Sequence, residues 1–407
     1  MADRKFARIA VPLAGIAVVA ALPGTVHAQV APKPRKEIRL DLVTRYDENV
    51  IGTSQAVANA RSLSTSDVSL SPVVTVNIEK PFGPHRVGLI GEVGYNFYRR
   101  NTELNRERIN LNADSDFRVG PCFVSPYVRF SRNQTDLGDI AFIGPALLSV
   151  KNTETVQTYG SELACGRATG LRPVVGYEYE KGRNSNDLRK QSDYTSNMYS
   201  VGLRYVGPTF GVITLYARRR KTEYDALPLP NFGADRYRTT EYGVSYERNI
   251  GSRYQVAGSI GRTKVDSDNP LIGDRSGVTW NLRGTALFGS RLQVTLETAN
   301  EFRNSLSSDA TVNRMRSYSA QFNYAMTEVL RFNGLARFEK NTRDYSFVPP
   351  PGTLFNDRRR IYRLGATYDY GRRTQFGVFV GREERNGNGT LFDYSANNAG
   401  MSVGVRF

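Results

Sequence analysis

The last seven residues, Met401-Ser402-Val403-Gly404-Val405-Arg406-Phe407, alternate without a break. Met401, Val403, Val405 and Phe407 are apolar, and Ser402, Gly404 and Arg406 stand between them. A period of two places one set on each face of a β-strand. The same pattern recurs upstream. Leu292, Val294 and Leu296 share a face, and Val278, Trp280, Leu282, Ala286 and Phe288 alternate with Thr279, Asn281, Arg283 and Thr285. Tyr318, Ala320, Phe322 and Tyr324 form a third set, and Tyr362, Leu364, Ala366 and Tyr368 a fourth. From Glu37 onward no helical periodicity competes with this signal.

The face opposite the apolar residues decides the class. It carries Gly, Ser, Thr, Asn and charge. The segments run to about 10–15 residues, and a tilted transmembrane strand needs about 9–11, apolar toward lipid and polar toward a lumen. A soluble sandwich of shorter strands fits less well. The connections also alternate. Eight are tight, at 81–85, 120–121, 166–170, 207–208, 251–252, 289–290, 326–327 and 371–372. Nine are longer and more polar: 53–67, 101–106, 137–151, 183–191, 225–235, 267–274, 305–313, 345–356 and 386–390. Together they would join 18 strands. Sixteen strands stay open, because the first strand pair and residues 122–166 are weakly patterned. The expectation is an all-β chain forming one closed antiparallel transmembrane barrel, with short turns on the periplasmic side and longer loops outside.

Residues 1–28 read as a cleaved signal peptide, with Arg4, Lys5 and Arg8 before the apolar stretch Ile9–Leu22 and small residues before Ala28. Residues 29–36 would be a short periplasmic segment and 37–407 the barrel. Only 29–36 would precede the first strand, too little for the plug of an energised transporter. Elsewhere no apolar run reaches the length of a membrane helix. The mean hydropathy of −0.44 is too polar for a helical membrane bundle. Cleavage would lower the net charge from +16 to +14 by removing those three basic residues and Asp3. Of the 55 basic residues, 45 are Arg, scattered in short groups along the chain. That scatter favours the lining of an interior over one docking patch, and an exported basic protein is a poor nucleic-acid binder.

Phe407 ends an alternating strand, and a terminal aromatic resembles the assembly signal of bacterial outer-membrane barrels. Phe407 is therefore the expected contact for the barrel-assembly machinery. Beyond this, the chain resembles the β-barrel porin type 2 family over Glu37–Phe407, in size, leader, Arg- and Tyr-rich strands and terminal strand. The resemblance implies a passive outer-membrane channel or an accessory of exopolysaccharide export. It supplies no catalytic residues.

If the apolar face meets lipid, the other face is lumen. The pore-lining candidates are Arg39, Arg204, Arg218, Arg220, Arg283, Arg331, Arg337, Arg363, Arg406, Glu92, Glu241, Glu297 and Asp369. Asp41, Arg45, Asn96, Arg100, Glu247 and Glu339 share that face. Two readings compete. Arg–Glu ladders stabilise a large barrel without selecting a solute, whereas Arg-rich rings favour anions such as small acids or acidic polysaccharide. Tyr95, Tyr177, Tyr179, Tyr205, Tyr246, Tyr368 and Tyr370 fit membrane-interface girdles, and Tyr98 and Tyr216 point inward. Outer-membrane lipid and lipopolysaccharide would surround the barrel.

Three loops are apolar: Leu137–Val150, Ala226–Phe232 and Phe347–Phe355. The first either folds into the lumen and narrows it or packs with the others outside. Cys122 opens one strand and Cys165 ends the next, both at the tight-turn side, so an oxidising periplasm should join them. Only two His occur, His27 in the leader and His85 in a tight turn. That excludes a His-rich metal site and leaves Ser–His chemistry without a well-placed base. No cofactor, metal or catalytic role is expected.

Overall fold

The computed structural model describes residues 34–135, 151–229, 233–268, 274–304, 312–344, 354–388 and 390–407, with backbone alone for 225–229, 233–235 and 390. The leader at 1–28 and the apolar loop Leu137–Val150 lie outside the described residues.

Eighteen strands follow one another. They are β1 (Arg35–Asp47), β2 (Asp67–Phe82), β3 (His85–Tyr98), β4 (Arg106–Val119), β5 (Cys122–Gln134) and β6 (Thr153–Cys165). Next come β7 (Gly170–Asn184), β8 (Tyr194–Gly207), β9 (Gly211–Leu229), β10 (Gly233–Ile250), β11 (Tyr254–Ser267) and β12 (Arg275–Phe288). The last are β13 (Leu292–Arg303), β14 (Val312–Ala325), β15 (Leu330–Asp344), β16 (Asn356–Tyr370), β17 (Thr374–Gly387) and β18 (Tyr394–Arg406). Each pairs antiparallel with its sequence neighbours, and β1 also pairs with β18 from Arg39↔Arg406 to Asp47↔Asn398. The sheet is therefore a closed barrel of 18 strands and exposes no long strand edge. Among the described residues no helix is long and apolar enough to cross a membrane.

The tight connections gather at one end. Gly251 and Gly289 turn the chain there at φ +61° and +59°, which a Cβ would disfavour. The turn after β14 does without glycine, because the Thr327 hydroxyl accepts from the Val329 and Leu330 backbone N–H groups. The 225–235 stretch differs from the sequence expectation. β9 runs on to Leu229 and β10 starts at Gly233, and the two pair as far as Leu229↔Gly233 with a register shift at Ala234/Asp235. Beyond Tyr224 the strand β9 has no β8 partner. Pro228 lies in this extension, paired with Ala234 of β10 where β8 no longer pairs with β9.

The barrel inverts a soluble fold. Leu40, Leu42, Val74 and Val403 are 38–48% exposed and lie side by side across β18, β1 and β2. Water penalises such a surface by about 25 cal/mol per Å², and lipid does not. The fully buried side chains include Arg189 and Arg385. Two apolar clusters occupy the loop end. One joins Ile51, Ala58 and Leu63 of the β1–β2 loop, which holds the short helix α1 (Gln55–Ala60), to Leu104. The other joins Tyr194, Tyr224, Tyr237, Val265 and Val312.

Candidate pore and its charged lining

Inside the barrel lies a space of about 1420 Å³, bordered by residues of all 18 strands and lined by many charged side chains. Of the sequence candidates, Arg39, Glu92, Arg204, Arg218, Arg220, Glu241, Arg337 and Arg363 border it. So do Asp41, Arg45, Asn96, Glu247 and Glu339. Arg283, Glu297, Arg331, Asp369 and Arg406 share the inward parity but lie nearer the turn end, outside this space. Arg100 sits at the loop rim, where its Nη1 donates to Ser66 Oγ at 3.2 Å.

Most of these guanidinium groups are matched by a carboxylate on the same or a nearby strand. Arg39 meets Asp41 at 2.7 Å, Arg204 meets Glu162 at 2.8 Å and Arg337 meets Glu339 at 2.7 Å. Arg220 bridges Glu178 at 2.8 Å and Glu180 at 3.8 Å. Arg283 meets Glu297 at 2.9 Å, Arg331 meets Asp369 at 2.6 Å and Arg406 meets Glu37 at 3.1 Å. Glu92 pairs with Arg108, and Arg45 with Asp47. The ladder is largely structural, because an Arg–carboxylate pair left half-unmade in a low-dielectric wall would be costly.

Arg218 and Arg363 depart from the ladder. Neither has an ion-pair partner within 4 Å among the described residues. Each lies over an aromatic ring instead, Arg218 on Tyr216 at 4.1 Å and Arg363 on Phe379 at 5.3 Å. The ring face holds the cation electrostatically without neutralising it. The Tyr216 hydroxyl donates to Glu241 at 2.6 Å, which fixes the platform beneath Arg218.

Two constructions narrow the loop end. On one side, Asn49, Val50 and Gly52 of the β1–β2 loop border the lumen. Cross-links pin that loop: Ser54 N–H donates to Leu391 O at 3.1 Å, and Asn101 Nδ2 donates to Ser64 O at 2.9 Å. On the other side, the Tyr194 hydroxyl donates to Glu180 at 2.9 Å, and the Tyr237 hydroxyl donates to Asn304. Asn304 Nδ2 then donates to Glu180 at 3.4 Å. Glu180 lies on β7 and Asn304 follows β13, six strands away, so this chain of bonds crosses the mouth. Gly182 permits it, because a Cβ there would meet the Tyr194 ring at 2.4 Å.

The sequence reading did not single out Glu178, Glu180, Tyr194, Tyr237 or the β1–β2 loop as parts of the mouth. Parity alone would have put Glu178, Glu180 and Tyr194 inward. The contact across the mouth has no local signal. Of the apolar loop 347–355 only Leu354 and Phe355 are described: Leu354 is buried, and Phe355 O accepts from Arg343 N–H at 2.8 Å.

At the turn end Cys122 lies opposite Cys165 in the β5–β6 register, and the two sulfurs are joined at 2.06 Å. Phe407 is exposed, and its N–H donates to Ile38 O at 2.9 Å beside the closing strand pair. Tyr177, Tyr205, Tyr368 and Tyr370 are exposed on the outer face. The His85 ring is fixed in its turn. Nδ1 accepts from Arg118 N–H at 3.1 Å, and Phe82 and Phe117 lie 5.3 and 5.9 Å from its centroid.

Outside the strands, at the β7–β8 connection, burial pushes the Asp193 carboxyl above the usual carboxylate range, opposed by hydrogen bonds from Asn184. Asp187 beside it is held below that range by a hydrogen bond from Lys190.

No protein-family model matches the chain, and no curated protein matches it. The resemblance to the β-barrel porin type 2 family therefore rests on the sequence features alone. Among solved structures, the chain is similar to OpdK of Pseudomonas aeruginosa with vanillate, at 11% identity and a TM-score of 0.45, covering 91% of this chain and 98% of that one. It is similar to a BenF-like porin from Pseudomonas fluorescens at 11% identity and a TM-score of 0.45, over 91% and 99% of the two chains. It is also similar to OccK2 of Pseudomonas aeruginosa in complex with glucuronate, at 11% identity and a TM-score of 0.45, over 92% and 98%.

Proposed function

We propose that this chain is an outer-membrane diffusion channel for small hydrophilic solutes, with a preference for anions. Closure of the sheet satisfies the backbone inside a bilayer, and the apolar outer face suits lipid. The tight-turn end then faces the periplasm, and the narrowed loop end faces outward. The observation that carries the anion preference is the pair Arg218 and Arg363, two lumen cations held on ring faces while their neighbours are neutralised. Nothing among the described lumen residues favours a polymer over a small acid, so the reading stops at small anions. It assigns no catalytic step, and the one described histidine is tied into a turn.

The test is conductance of the refolded protein in a planar bilayer under a salt gradient. Anion-selective steps are expected, and Arg218→Gln with Arg363→Gln should move the reversal potential toward cation selectivity. A folded, heat-modifiable barrel without conductance would remove the channel reading. Conductance with unchanged selectivity in the double variant would remove the role of these two arginines.

A further inference from the structure

The outer face carries an arrangement that the channel does not use. In a row toward the loop end, one step inside the row of Arg314, Thr342 and Asn356, Arg316 lies directly opposite Lys340, and Lys340 directly opposite Arg358. All three have the outward parity of Tyr318, Phe338 and Tyr362. Like charges directly opposite across strands destabilise a sheet, and more so beside lipid. None of the three has an ion-pair partner within 4 Å among the described residues. The carboxylates on this face are engaged elsewhere: Glu384 by Arg382 at 2.8 Å and Arg360 at 3.6 Å, and Asp344 by Arg275 at 3.3 Å. Arg316 is held in place over the Trp280 ring at 5.4 Å.

A second observation lies just below, toward the membrane centre. A groove of about 570 Å³ opens on the outer wall, where Gly284, Ala320 and Ala336 lack bulk and Leu296, Phe338 and Tyr362 form the rim. A Cβ added at Gly284 would meet nothing within 4 Å. Leu296, Ala320, Ala336 and Tyr362 occupy one row, and the basic row lies four residues along the strands from it. At about 3.4 Å per residue that is about 14 Å. Arg360 borders the groove from the intermediate row. Three strands span only about 10 Å laterally, so one headgroup can touch the whole basic row.

We propose that this face binds a phosphorylated, multiply acylated glycolipid of the outer leaflet. Its phosphate would lie on Arg316, Lys340 and Arg358, and one acyl chain would occupy the groove. The phosphate supplies the counter-charge that the row lacks, and guanidinium suits it geometrically. The chain fills a hollow that ordinary lipid packing would leave uneven. The proposal rests on the orientation given above, with the loop end in the outer leaflet.

The experiment titrates the refolded full-length protein in detergent with purified diphosphorylated lipid A and counts adducts by native mass spectrometry. Inorganic phosphate and dephosphorylated lipid A are the comparison probes. A one-to-one lipid A adduct is expected. The triple change R316Q/K340Q/R358Q should weaken it by about tenfold or more, the equivalent of losing at least one charge-assisted bond. Ala336→Leu, which fills the groove and keeps the charges, should weaken lipid A while leaving any binding of inorganic phosphate unchanged. The proposal is overturned if the folded triple variant binds as tightly as the parent, if dephosphorylated lipid A binds equally, or if Ala336→Leu has no effect. Conductance is recorded on the same variants. Lost adducts with retained conductance separate this site from the channel, and lost conductance in the unaltered protein counts against the channel alone.

Discussion

Arg358 and Arg359 are consecutive residues of β16, and their surroundings are opposite. Arg359 turns inward and its Nε donates to Glu383 at 2.6 Å. Arg358 turns outward into a row of cations and has no carboxylate within 4 Å among the described residues. The same contrast divides their neighbours. Asp357 is buried between Arg343 and Arg385, the latter at 3.2 Å, whereas Lys340 stands between Arg316 and Arg358. One step along a strand exchanges a wall in which charge is matched internally for one in which matching is left to the surroundings. Most of the lumen wall is matched within the folded chain, with Arg218 and Arg363 as the exceptions. In the proposed membrane setting the outer wall would meet lipid, which can bring its own charge.

The sharpest way to break this contrast is to remove the shared inner carboxylate. Asp357→Ala leaves two buried guanidinium groups without their common partner. Breaking a buried pair of this kind costs about 3–5 kcal/mol. Urea unfolding of the lipid-reconstituted barrel should show that loss. A change no larger than a surface substitution would mean that the inner ladder is dispensable. The disulfide is the covalent counterpart of such cross-strand pairing. Its 43-residue separation implies about 4 kcal/mol of chain entropy, and typical measured values are about 2–4 kcal/mol. Cys122→Ser with Cys165→Ser should lower stability by that amount under oxidising conditions. The same effect should appear on adding reductant to the unaltered protein.

The outer row gives the opposite sign. Lys340→Glu places a carboxylate between Arg316 and Arg358. In detergent without lipid A it should raise stability by about 0.2–1 kcal/mol, because two like-charge contacts become favourable pairs. The same change should abolish the lipid A adduct. A stabilised barrel that still binds lipid A would show that the row is not the binding element. Destabilisation would show that the row is not frustrated.

The alternation at 401–407 and 292–296 made inside and outside legible, because a closed barrel has one face per environment and a period of two records it. Strand number stayed open between 16 and 18, where the first strand pair and residues 122–166 are weakly patterned. The Cys122↔Cys165 register was legible for the same reason, since turn positions fix neighbouring strand ends. Other features were not legible. The 225–235 stretch looks like a loop, yet its described residues pair as β9 with β10 as far as Leu229↔Gly233, beyond the last β8 partner at Tyr224. The bond from Asn304 to Glu180 joins residues 124 apart in sequence, and it depends on how the wall bends inward at the mouth, which local patterning does not record. Nor does parity tell a neutralised arginine from an exposed one. Arg218 and Arg220 are both inward, but only Arg220 lies within reach of Glu178 and Glu180.

The smallest expected effect lies at the loop end and again concerns how charge is matched. The Asp193 carboxyl accepts from the Asn184 backbone at 2.7 Å and from the Asn184 side chain at 3.1 Å, and Arg183 is 4.0 Å away. Burial outweighs these partners and raises its pKa above the unfolded value. A raised folded pKa means that the contribution to stability is greatest below the unfolded carboxylate range. It is lost as pH rises through the folded pKa. At neutral pH the ionised carboxylate is therefore a local cost. Asp193→Asn keeps an acceptor for Asn184 and removes that cost. Hydrogen exchange of the Asn184–Asp193 connection should accordingly slow slightly at neutral pH. The difference should vanish in acid, where Asp193 is protonated. Faster exchange at neutral pH would mean that the attraction of Arg183 and Lys190 outweighs burial. This carboxylate would then be matched as fully as those inside the barrel.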